Sequence, residues 1–194
     1  MYFKTMTKAC LAACLLFGST AWAESLARVP YKISNNNTKA QNSWQQFYAV
    51  ANNYRVAFPE NPEHLQQTLA SEDQQFDMKY DVYVAANNQR EVYMVLVAQY
   101  PDFVDDSYAE LSLETFLNGI LHQNAGNQLI FADLIEVQGY KALDFFIKSS
   151  DNVYFKGRAV MAKNQLYLLA MECEVQNYVE SNYNYFISSF QIVK

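Results

Sequence analysis

Between Phe76 and Ala86 apolar and polar side chains alternate: Phe76, Met78, Tyr80, Val82 and Val84 fall on one side, and Asp77, Lys79, Asp81 and Tyr83 on the other. A period of two is that of a strand with one buried face. Ala86-Asn87-Asn88-Gln89 then turns the chain into Glu91–Val97, whose nearly continuous apolar character predicts a central strand covered on both faces. Earlier, Gln45–Val50 and Tyr54–Phe58 read as strands joined through Ala51-Asn52-Asn53, because Asn tolerates the left-handed backbone of a tight turn. Pro59 and Pro62 interrupt regular structure after them.

The period changes at Leu113. Leu113, Phe116, Leu117, Ile120 and Leu121 follow the i, i+3, i+4, i+7, i+8 spacing of a helical stripe, with Ser112 placed to cap its start and Gly126 to stop it. Four strands are predicted next, Leu129–Val137, Lys141–Lys148, Val153–Ala162 and Gln165–Cys173, linked by short turns at Gln138-Gly139-Tyr140, Ser149–Asn152 and Lys163-Asn164. Links this short favour antiparallel neighbours, since a parallel crossover needs a dozen or more residues. A last stripe of Val179, Tyr183, Phe186, Ile187 and Phe190, with Asn177 and Glu180 at cap spacing, predicts a second helix. The expected fold class is α+β: an antiparallel sheet of about six to eight strands with two main amphipathic helices packed on it.

The N-terminus follows another logic. Lys4 and Lys8, the apolar run Ala9–Phe17 and the ending Ala21-Trp22-Ala23 have the charge, length and small-residue close of a secretory signal over residues 1–23, cut between Ala23 and Glu24. A membrane anchor needs roughly 20 apolar residues, and Gly18, Ser19 and Thr20 break this run. Leu11-Ala12-Ala13-Cys14 resembles a lipoprotein box with Cys14 as the acylated residue, but the apolar run continues past it to Phe17. The expected location is therefore periplasmic or secreted, with no integral span after cleavage. Residues 24–43, which include the polar stretch Ser34–Ser43, bury too little apolar surface to offset their ordering entropy and are expected to form a flexible leader. Residues 44–194 are expected to form a single domain.

Charge and cysteine count narrow the partners. The chain has a net charge of −6 with no run of Lys or Arg. Nucleic-acid binding needs clustered positive charge, so no nucleic-acid partner is expected. With Cys10 and Cys14 in the signal, Cys173 alone remains, and a single thiol closes no internal disulfide. Within an apolar alternating run it reads as buried and inert.

Chemistry is sparse. The histidines, His64 and His122, lack the spacing of a zinc site, and the five glycines neither bracket a serine nor cluster as a phosphate loop. Asp105-Asp106 precedes the first helix, where acidic side chains favour the positive helix end, and no calcium-loop spacing surrounds them. No metal, cofactor or catalytic residue is expected. Asp144, Lys156, Arg158 and Glu172 read as gathering on one partly polar sheet face, a solvated ladder of ion pairs. The fifteen tyrosines are the positive hint: Tyr178, Tyr183 and Tyr185 cluster on the last helix, and tyrosine joins apolar area to a polar tip in a way that suits a contact surface. Tyr178, Tyr183, Tyr185, Asp144, Lys156 and Arg158 are the candidate interaction residues.

The segment Asn53–Pro62, Gly139 at a hairpin, Lys156-Gly157-Arg158-Ala159, the strand Gln165–Ala170 and the close Tyr185–Phe190 together resemble the PsbP-like fold group over residues 44–194. That group includes a photosystem subunit, a Ran-binding nuclear import factor and many exported bacterial proteins. None of the matching positions is a catalytic motif. The resemblance implies an antiparallel sheet with packed helices, used for protein or ligand binding rather than chemistry. The expected function is an exported, non-catalytic protein-interaction module of the bacterial envelope or secretome, its partner another envelope or secreted protein. The alternative is a periplasmic carrier of a small apolar ligand or lipid, which requires a pocket between sheet and helix.

Overall fold

A computed structural model describes residues 44–70, 77–88 and 90–193. The signal over residues 1–23, its Ala23–Glu24 cut, Cys14, the leader 24–43 and Phe76 lie outside these described residues.

The chain lays down β1 (Gln45–Ala49), β2 (Tyr54–Phe58), β3 (Glu63–Ala70), β4 (Asp77–Asn87) and β5 (Glu91–Gln99), then helix α1 (Ala109–His122). After it come β6 (Gln128–Val137), β7 (Tyr140–Lys148), β8 (Val153–Ala162), β9 (Gln165–Glu174), helix α2 (Glu180–Ser189) and the short β10 (Gln191–Ile192). Seven strands form one sheet in the order β3-β4-β5-β9-β8-β7-β6, antiparallel throughout. The expected α+β class stands, with two additions. A separate sheet, β1-β2-β10, sits apart from the large one, and β3 occupies the stretch after Pro62 where no strand was expected.

The turns follow backbone chemistry. Asn53, Asn88 and Asn152 take positive φ, as do Gln138 (+55°) and the Gly139 beside it (+84°). Asn and Gly occupy the left-handed region at little cost. Gly157, inside β8, has another reason to be glycine. A Cβ there would lie 2.7 Å from the Leu169 carbonyl oxygen and from the Phe145 ring.

Helix ends depart from expectation. Asp105, not Ser112, makes the cap upstream of α1: its carboxylate accepts from the Ser107 amide at 2.9 Å in the short turn before the helix, and the Ser107 hydroxyl, followed by this amide, holds its pKa below the usual range. Ser112 lies within α1, which stops at His122 ahead of Gly126. Helix α2 starts at Glu180 without a side-chain cap. Its entry is fixed by packing and by a charge contact described below.

Two cores lie on opposite faces of the large sheet. On one, Leu113, Phe116 and Ile120 of α1 pack against Met94, Leu96, Phe145 and Leu168. On the other, Tyr183, Phe186 and Phe190 join Tyr54 and Phe58 of the small sheet against Tyr93, Val95, Tyr167 and Leu169. The molecule is thus layered as α1, seven-stranded sheet, then α2 with the small sheet. Tyr83, expected on an exposed side of β4, is buried because that side is covered by the small sheet. Burial of apolar area on both faces, worth about 25 cal/mol per Å², is the main favourable term holding these layers together.

Candidate interaction surface

On the α2 side of the sheet, strand register sets the outer strands in rows. Phe131 of β6, Phe146 of β7 and Lys156 of β8 form one row; Asp133, Asp144 and Arg158 form the next; Ile135, Ala142 and Val160 the third. Helix α2 lies over the inner end of these rows. The Lys156 ammonium donates to the Tyr178 hydroxyl at 2.8 Å and to the Glu180 carboxylate at 3.0 and 3.2 Å. Four rings surround it, with centroids 4.4 Å (Tyr183), 5.1 Å (Phe146), 5.4 Å (Tyr178) and 5.9 Å (Phe131) away. Aromatic faces attract a cation, more strongly as water is excluded, and Lys156 is only 7% exposed.

The electrostatics fit a closed site. The Tyr178 hydroxyl hydrogen-bonds the Glu180 carboxylate, and this contact, followed by Lys156, holds Glu180 below the usual carboxylate range. Burial raises the Tyr178 and Tyr183 hydroxyls, with Glu180 adding at Tyr178 and Asp144 at Tyr183. Arg158 donates through two nitrogens to Asp144, at 2.6 and 2.8 Å, and that bond raises its pKa. Such forked pairs fix geometry as well as charge.

Tyr178, Tyr183 and Lys156 therefore meet, and Asp144 meets Arg158, but not as an open surface. Lys156 is buried beneath α2 and Tyr183 on that helix's inner face, which corrects the expectation that they face a partner. Asp144 and Arg158 satisfy one another. Glu172 is not on this face at all: the register pairs it with Phe155, while Lys156 pairs with Met171, so Glu172 is buried on the α1 side with Leu168 and Ala170. Tyr185 is half exposed and packs edge-on against Trp44, away from the Lys156 cluster.

The open region lies one strand further out. Among the described residues β6 ends the large sheet, with β7 on one side and no strand on the other. Leu129, Ile130 and Leu134 are 45–49% exposed along it. A bulge between Leu129 and Phe131 lets the strand shift register, and from Phe131 to Val137 the pairing with β7 is regular. Native proteins usually blunt exposed edges with lysine, proline or a covering loop; β6 has neither Lys nor Pro and carries Asp133 and Glu136 as its charges. The sequence hides this strand, because its mixture of apolar residues on both sides reads like an interior strand, and only the sheet order reveals it as an edge.

Two further groups bear on chemistry. His64 meets Asp81 through Nε2 at 2.9 Å and stacks on Tyr83 at 4.3 Å between centroids, while Asn52 donates to the other Asp81 oxygen at 3.0 Å. The second imidazole nitrogen of His64 has no hydrogen-bond partner among the described residues. Cys173 is buried, and burial, with Glu91 next, pushes its thiol up to about 12. At neutral pH it stays protonated and poorly nucleophilic. No cluster of three or more His, Cys, Asp or Glu suited to a metal occurs among the described residues.

Set beside solved structures, this layering has a counterpart. The solution structure of cyanobacterial PsbP (CyanoP) from Synechocystis sp. PCC 6803 matches over 82% of this chain and 98% of that one, with a TM-score of 0.53 and 14% identity. The fold is PsbP-like. A Pseudomonas aeruginosa protein of unknown function matches more loosely, over 69% of this chain and 85% of its own, with a TM-score of 0.41 and 9% identity. No protein-family model and no curated protein matches the chain. At such identities the PsbP-like likeness fixes the architecture and leaves function to the side chains. Among the described residues no helix is long and apolar enough to cross a membrane.

Proposed function

We propose that this chain is an exported, non-catalytic protein-interaction module of the bacterial envelope or secretome, and that its partner protein adds a strand to β6. The observation that carries the reading is the β6 edge, unpaired among the described residues, with Leu129, Ile130 and Leu134 nearly half exposed. An edge strand offers a row of backbone donors and acceptors, and alternate side chains beside it supply selectivity. Export is supported by the basic start, apolar run and Ala21-Trp22-Ala23 ending.

The non-catalytic reading rests on the sparse chemistry of the sequence and on Cys173, whose burial keeps its thiol protonated at neutral pH. A carrier of apolar ligands would need space between sheet and helix; there the α1 side is filled by Leu113, Phe116 and Phe145, and the α2 side by Tyr93, Tyr183 and Phe186.

Native mass spectrometry of the protein recovered gently from its host's envelope fraction tests the proposal. The expected result is a chain cut after Ala23, bound to a second polypeptide that is lost from the Leu134→Lys variant. An extra few hundred daltons released on unfolding, unaffected by that variant, would instead establish a ligand carrier.

A further inference from the structure

The outer face of the small sheet carries a site of another kind. Strand register sets Tyr48, Arg55 and Gln191 side by side across β1, β2 and β10. Two adjoining hollows, about 610 and 460 Å³, share Arg55, Gln138 and Gln191. Ligand sites commonly fall in the range of roughly 300–1,000 Å³. The walls are built by the chain's own contacts. Gln138, from the β6–β7 turn, donates its amide to the Phe190 carbonyl at 3.1 Å and accepts from the Ile192 amide at 3.0 Å, standing in for a neighbouring strand along β10.

Among the described residues, Arg55 is the one charged residue lining either hollow, in a chain of net charge −6. Its guanidinium bonds the Gln191 side-chain oxygen and forms no ion pair among the described residues. Arginine carries five donors in a planar fork, and among the described residues the Gln191 oxygen is the one side-chain acceptor set against them. The Gln191 amide nitrogen and the Tyr48 hydroxyl add donors beside it, and Tyr48, Ile192 and Val193 supply an apolar wall.

From this arrangement we infer that the hollow at Arg55 is a binding site for a carboxylate carried on an apolar body, such as the C-terminus of a peptide ending in an aliphatic residue or a free aliphatic acid. A planar carboxylate matches the guanidinium fork, and a single positive charge suits one negative charge better than a doubly charged phosphate. The site lies on the small sheet and does not depend on β6 being a docking edge.

The test is an NMR titration of the full chain with three probes: an N-acetylated tripeptide ending in valine with a free carboxylate, the same tripeptide as its C-terminal amide, and hexanoate. Saturable shifts of the Arg55 and Gln191 side-chain signals are expected with a carboxylate probe and not with the amide. Tighter binding of the tripeptide marks a peptide terminus as the source, and tighter binding of hexanoate marks a free acid. Arg55→Gln should weaken binding about ten- to hundredfold. Gln191→Glu, which places a carboxylate on Arg55 from within, should abolish binding while circular dichroism stays unchanged, so it decides the matter even if Arg55→Gln unfolds. Absence of saturation with both carboxylates, equal binding of the amide, or undiminished binding by Gln191→Glu would overturn the site.

Discussion

The seat of α2 and the edge strand β6 touch through Phe131, yet they use their side chains in opposite ways. In the seat, a half-exposed carboxylate and four aromatic rings close over a lysine until little of its ammonium is left for solvent. On the edge, ordinary aliphatic residues remain nearly half exposed beside backbone that pairs with no further strand among the described residues. Tyrosine and charge, which in a sequence suggest an interface, are consumed internally here. Three aliphatic side chains, which suggest a core, are what the sheet leaves open.

The comparison predicts that damage to the seat is read in folding and damage to the edge in association. Tyr183→Ala should have the largest effect, about 3 kcal/mol in urea unfolding, since it removes a buried ring and opens space over Lys156. Lys156→Ala should cost about 2 kcal/mol. Losing one partner of a buried pair costs more than this, but Glu180 is half in solvent and recovers water. Lys156→Met, similar in volume, should recover much of that loss.

The pH dependence sharpens the same contrast. Burial raises Tyr93 and Tyr183 above their ordinary hydroxyl pKa, so their contribution is fully present below about pH 10 and falls as pH rises past the unfolded value. Thermal melts should drop at high pH, and less steeply in Tyr183→Phe. Glu180, held low by Tyr178 and Lys156, contributes above the unfolded carboxylate pKa, and this is lost as pH falls through its folded one. The acid loss should be small, because the group is exposed, and smaller still in Lys156→Met. Leu134→Lys should sit at the bottom of the stability series, within about 0.5 kcal/mol of the parent. A larger loss would mean that Leu134 belongs to the core and that the contrast between the two regions fails.

Much of the fold was legible in local pattern. The period of two over β4 and the stripe Leu113–Leu121 each named their element, and Asn53, Asn88 and Gly139 named their turns by the backbone region they tolerate. What was hidden depended on partners distant in sequence. Glu63–Ala70 became a strand because β4 offers it an eight-residue ladder, despite the prolines before it. Glu172 and Lys156 lie on opposite faces because pairing set them one residue out of step, a shift that turns a side chain to the other side of a sheet. The Arg55 hollow needed β1, β2, β10 and the Gln138 turn to meet, and no local signal announces that. Tyr178, Tyr183, Tyr185, Asp144, Lys156 and Arg158 suggest a surface by residue type, but whether such a group faces out is decided by what packs over it, and Lys156 and Tyr183 are buried.

Hydrogen–deuterium exchange on the β6 amides, in the free protein and in the complex recovered from the envelope fraction, tests the central claim most directly. Residues 131–137 are expected to gain protection in the complex while α2, already closed over Lys156, exchanges as before. Unchanged exchange along β6 in a complex that protects another surface would contradict it.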